Sequence, residues 1–149
     1  MSDEGNEPTK DERVAALVQE LVDGGLTDDQ ALGISLDVVS KEIRYVFTEG
    51  TLDGGAFFDV RSVADKIIIK INVRHPIYHD LGEVLESEIS DKADRDELAR
   101  RLRRANRGLK LLLMAWARCE YEESGDRREM LLDIRTDWGR TMSRFLRGG

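Results

Sequence analysis

The run from Lys66 to Leu81, KIIIKINVRHPIYHDL, constrains the fold more than any other stretch of the chain. Three successive isoleucines, Ile67, Ile68 and Ile69, predict a strand covered on both faces, as an interior strand is. The strand pattern breaks at Asn72, and a helix restarts at Pro76, a first helical position where the missing N–H leaves nothing unpaired. Asn72, His75 and Pro76 therefore read as a structural junction. In it Asn72 or His75 caps orphan amides while Tyr78 packs inward. A chain hinged on such a junction has to combine a sheet with helices.

Upstream, residues 1–10 are polar and acidic and predict a flexible tail. Residues 11–41 read as a helical hairpin. Val14, Leu17, Val18, Leu21 and Val22 form one stripe that stops at Gly24-Gly25, and a second helix opens on Thr27 with Gln30 as a capping box, running through Leu32, Leu36 and Val39. Residues 42–73 predict a small sheet. A β-like stretch around Arg44 to Thr48 is followed by a glycine-rich loop, a strand from Ala56 to Val60, a turn from Ser62 to Asp65 and a strand from Lys66 to Val73.

Residues 76–149 read as helical. Leu98, Leu102, Ala105, Leu109, Leu112, Trp116 and Cys119 make a heptad-like seam that requires a partner helix. Asp126, with Glu129 three residues on, signals a second helix carrying Leu131, Ile134, Trp138, Met142 and Phe145. Folding the two antiparallel would bring Trp116 near Leu131 and Ile134, and Trp138 near Leu109 and Leu112. Trp116, Trp138 and Cys119 then count as buried, and Trp116→Ala should cost about 3–5 kcal/mol.

Charge divides the chain. Residues 1–40 hold ten acidic and two basic side chains, whereas residues 95–149 hold nine and fourteen. The basic side chains Arg100, Arg103, Arg104, Arg107 and Lys110 offer a nucleic-acid contact, or else a solvated face paired with nearby carboxylates. His75 and His79 stand four apart, a spacing that can chelate a metal, but no cysteine or third histidine joins them, so capping and packing is the preferred reading. The chain contains neither GxxxxGK[ST], GxGxxG nor GxSxG, and no catalytic residue, cofactor or metal site is expected. A single cysteine, an acidic start and no apolar run of membrane-spanning length predict a cytoplasmic protein without membrane contact.

Three stretches resemble the C-terminal part of bacterial ATPases of the gyrase, MutL and histidine-kinase (GHKL) superfamily. They are Phe57 to Tyr78, with Asn72, His75 and Pro76; Leu109 to Glu122, with Ala115, Trp116, Ala117 and Arg118; and Asp133 to Leu146, with Asp137, Trp138, Gly139 and Arg140. The match covers roughly the last two thirds of the chain. Neither that superfamily's Asn-containing helix box nor its Asp-x-Gly-x-Gly occurs. The resemblance implies an excised C-terminal region or a free-standing relative of one, which does not bind or hydrolyse ATP by itself.

The expectation is thus a single α+β domain over residues 11–149, made of an N-terminal helical hairpin, a small β-sheet and a long C-terminal antiparallel helical hairpin packed on it. Its function would be non-catalytic oligomerisation or protein interaction, with a protein partner or a second copy in a homodimer. Leu102, Leu109, Leu112, Trp116, Trp138 and Phe145 would carry assembly. The alternative is a nucleic-acid-binding domain working through the basic helix over residues 95–110.

Overall fold

The computed structural model describes residues 7–148. Its contacts divide the chain after His79 into two compact units. The fold is α+β, as the sequence predicts.

The first unit opens with helices α1 (Lys10–Asp23) and α2 (Asp28–Ser40). Both start with a reciprocal capping box: Thr9 with Glu12, and Thr27 with Gln30. Each box satisfies two amides that a helix end otherwise orphans. The expected tail of residues 1–10 lies in part outside the described residues. Its last two members, Thr9 and Lys10, are instead the cap and first residue of α1. Between the helices the chain stops at Gly24 and turns at Gly25, whose φ of 107° suits glycine alone.

Leu17 and Leu21 of α1 are almost fully buried, against Ala31, Val38 and Val39 of α2. The second helix packs through small and β-branched residues, so Leu32 and Leu36, expected on the inner stripe, are 46% and 48% exposed. Small side chains at Ala31 and Ser35 let the helices approach closely.

Strands β1 (Tyr45–Gly50), β2 (Phe58–Val63) and β3 (Lys66–Asn72) form one sheet in the order β1-β3-β2. The central β3 runs parallel to β1 and antiparallel to β2. The β2–β3 hairpin turns on Ala64 and Asp65, with φ of 48° and 56°, a two-residue turn whose twist suits the strands it joins. Val46 and Ile68 point from the sheet into the cluster beneath α1 and α2. The triple isoleucine is therefore interior by lateral pairing. It is not covered equally on both faces: Ile68 is buried, whereas Ile67 and Ile69 are only half-buried.

Because β1 and β2 occupy opposite edges, the segment between them crosses the end of β3, and Asn72 sits at that crossing. Its backbone N–H donates to Phe57 O at 2.8 Å, its Nδ2 donates to Ala56 O at 2.9 Å, and Val73 N–H donates to Gly50 O at 2.9 Å. Asn72 Oδ1 accepts from Arg74 N–H at 3.1 Å.

Beyond it lie two short helices, α3 (Ile77–Asp80), which spans the boundary of the units, and α4 (Gly82–Glu86). The second unit continues as α5 (Arg95–Glu122) and α6 (Gly125–Leu146), joined by Glu123 and Ser124. Asp94 caps α5 by accepting from Glu97 N–H at 2.7 Å. Asp126, expected as the cap of α6, lies inside its first turn, and the cap position falls to Ser124, which makes no side-chain bond. A carboxylate there still favours the positive end of the helix dipole.

Candidate interaction surfaces

At the junction, His75 acts as a cap: its Nδ1 accepts from Ile77 N–H at 3.2 Å, and its carbonyl accepts from Tyr78 N–H at 2.9 Å. Pro76 stands between them, where no N–H is needed. The His75 ring lies 5.4 Å from that of Phe57. The buried apolar residue is Ile77 rather than Tyr78, which is half-buried and donates its hydroxyl to Glu49 Oε1 at 2.9 Å. His79 is exposed, 6.0 Å ring to ring from Tyr78. Among the described residues no three His, Cys, Asp or Glu side chains gather where a metal ion could sit.

In the second unit, α5 is held at its N-terminal half. Arg101 fans its guanidinium over the end of α4, donating to Val84 O at 2.6 Å, Ser87 O at 2.7 Å and Glu88 O at 3.4 Å. A carbonyl of α4 and those of the two residues that follow it thereby gain a charged donor. Arg104 Nε donates to Asp80 Oδ1 at 2.9 Å. Ala105 and Gly108 are the buried residues of α5. A Cβ on Gly108 would stand 3.2 Å from Leu81 Cβ, so glycine is what admits the chain so close.

The rest of the hairpin is open. Trp116 and Trp138 meet with ring centroids 6.1 Å apart. Arg135 grips Glu120 through two bonds of 3.0 Å, and Trp116 Nε1 donates to the same carboxylate at 2.8 Å. These contacts hold the Glu120 carboxyl below its ordinary range, Arg135 contributing most. Even so, no residue of α6 is buried.

The residues predicted for assembly are consequently not a core within one chain. Leu102 is 69% exposed, Leu109 50%, and Trp138 and Phe145 54% each, while Leu112 and Trp116 are half-buried. Cys119, expected to be buried in the same seam, is exposed. Two helices can cover only one side of each other, and the apolar stripe of α6 runs from Leu131 through Ile134 and Trp138 to Phe145. The sequence correctly required a partner helix for α5, but α6 covers only part of the seam.

The basic candidates divide. Arg104 is committed to Asp80, whereas Arg100, Arg103, Arg107 and Lys110 are exposed and their side chains form no hydrogen bond or ion pair among the described residues. Their spacing of three, four and three residues aligns them on one stripe.

A further apolar surface, unforeseen in the sequence, lies on the sheet. The registers place Tyr45 beside Ile67, Phe47 and Val60 on either side of Ile69, and Phe58 beside Ile71. All of these share the face opposite Ile68. Phe47 is 70% exposed, Val60 54% and Phe58 52%. Alternation of large apolar residues in β1 and β2 was the available signal, but alternation alone does not say which face is covered.

Among the described residues no helix is long and apolar enough to cross a membrane. Compared with known proteins, the chain matches no family model, no curated protein and no solved structure.

Proposed function

We propose that the chain is a non-catalytic oligomerisation and protein-interaction module, with the α5–α6 hairpin as its working surface. The observation that carries this reading is that α6, a 22-residue helix, buries none of its residues. An amphipathic helix gains most of its stability by burying its apolar face, and this one leaves Ile134, Trp138, Met142 and Phe145 about half exposed. A second copy of the hairpin is the simplest cover, giving a homodimer built as a helical bundle. The resemblance to the C-terminal region of GHKL-type ATPases accords with an assembly role alongside a nucleotide-binding partner. The lone Cys119 suits a reducing, cytoplasmic setting.

Light scattering at two salt concentrations, with and without a short DNA duplex, tests the reading. The expected result is a dimer at both concentrations that ignores DNA, converted to a folded monomer by Leu109→Asp with Phe145→Asp. A wild-type monomer at both salts sinks it. The second reading, nucleic-acid binding, is favoured by the unpaired stripe of Arg100, Arg103, Arg107 and Lys110. It predicts a mass that rises with DNA only at low salt, and no rise after all three arginines are changed to glutamate.

A further inference from the structure

A cleft of about 560 Å³ opens in the first unit, where α1, the segment after α2, the entry to β1 and the β2–β3 turn converge. Its walls carry four cations, Lys10, Arg13, Arg44 and Lys66, against two carboxylates, Glu42 and Asp65. Two positive charges are therefore in excess, although the chain as a whole is acidic. Asp65 is already engaged, its Oδ2 lying 3.5 Å from Arg13 Nη1.

Two of the cations are incompletely satisfied. Lys66 is only 7% exposed, and its side chain forms no hydrogen bond or ion pair among the described residues, the ammonium itself keeping access to solvent. Arg13 Nε is buried and also lacks an acceptor. A buried guanidinium N–H without a partner is unfavourable, and native chains almost always satisfy such groups, while the unpaired ammonium of Lys66 is open to a ligand. Here both line the same cleft, and Ser62 adds a hydroxyl at its wall. A guanidinium edge, an ammonium and a hydroxyl arranged around one space are donors that suit a tetrahedral dianion, while the volume leaves room for more than the anion itself.

We propose that this cleft binds a phosphate group, as inorganic phosphate or as a small phosphomonoester, with Lys66 and Arg13 as the inner donors and Arg44 and Lys10 at the rim. The site owes nothing to the α5–α6 hairpin, so it stands or falls independently of the association reading.

The test is isothermal titration of the full chain with inorganic phosphate and with glycerol 3-phosphate, in chloride buffer held at constant ionic strength. Saturable binding is expected, weakened roughly tenfold or more by Lys66→Met, the cost of one charged hydrogen bond. Arg44→Ala, at the exposed rim, should weaken it several-fold without touching the core. Changing Arg100, Arg103 and Arg107 together to glutamine should leave it unchanged. Tighter binding of glycerol 3-phosphate identifies a phosphorylated small molecule as the ligand, and equal or weaker binding identifies the ion, either result supporting the site. Absence of saturable heat, binding that survives both Lys66→Met and Arg44→Ala, or binding lost only with the α5 arginines overturns it.

Discussion

Asn72 shows how one side chain can decide a connection. It is 3% exposed, and its amide bridges the chain that crosses above it to the turn that follows it. Asn72→Ala would leave the Ala56 carbonyl and the Arg74 amide without these partners, at a cost of about 2–3 kcal/mol. Urea unfolding should show the loss as a lower midpoint. Glu120 makes a second prediction at this scale. Its carboxyl titrates below the ordinary value of 4.5 because Arg135 and Trp116 favour the charged form. The stabilisation it supplies is therefore present above pH 4.5 and lost as pH falls through its lowered pKa. Glu120→Gln should be less stable at neutral pH and lose less on acidification, which melting temperatures between pH 7 and pH 3 would reveal. Asn72 as a junction residue was legible because an Asn interrupts an otherwise apolar run. Glu120 was not, since nothing in the sequence distinguishes it from neighbouring carboxylates until Arg135 is folded against it.

Elements were legible where local chemistry governs them. Both N-terminal helices begin at capping boxes, and the box at Thr27 is evident from spacing alone. Where contact governs, spacing misleads: the α1–α2 packing selects Ala31 and Ser35 over the larger Leu32 and Leu36. Gly108 is the same lesson in α5. Glycine lowers helix propensity, and its presence in a 28-residue helix is explained by the Leu81 Cβ that a side chain would meet. Gly108→Val should destabilise by about 1–3 kcal/mol through overpacking. Combined with Leu81→Ala, it should cost less than the sum of the two single changes, as thermal unfolding of the three variants would show.

For the molecule as a whole, what matters is how much apolar surface the folded chain leaves uncovered. Leu102, Leu109, Leu113, Met114, Trp138 and Phe145 all remain at least half exposed on α5 and α6, and Phe47, Phe58 and Val60 do so on the sheet. If a second copy covers the hairpin, folding and association are linked and the melting temperature must rise with protein concentration. A tenfold dilution series followed by calorimetry should show that rise, and Leu109→Asp with Phe145→Asp should abolish it. A melting temperature independent of concentration in the wild type would argue against a second copy as the cover.

By itself the sequence determined the element types and their order: two helices, the second with its cap, a sheet with its most apolar strand at the centre, a break at Asn72, and two long amphipathic helices. Those features follow from periodicity, capping and proline geometry, which act over a few residues. Tertiary structure alone decided which faces are covered. It left the α6 stripe open, engaged Arg104 but not Arg100 or Arg103, and gathered Lys10, Arg13, Arg44 and Lys66 around one cleft from positions as much as 56 residues apart. The physical reason is that a periodic pattern states which residues prefer burial, whereas the supply of covering surface, and the partner each charge finds, depend on contacts distant in the chain.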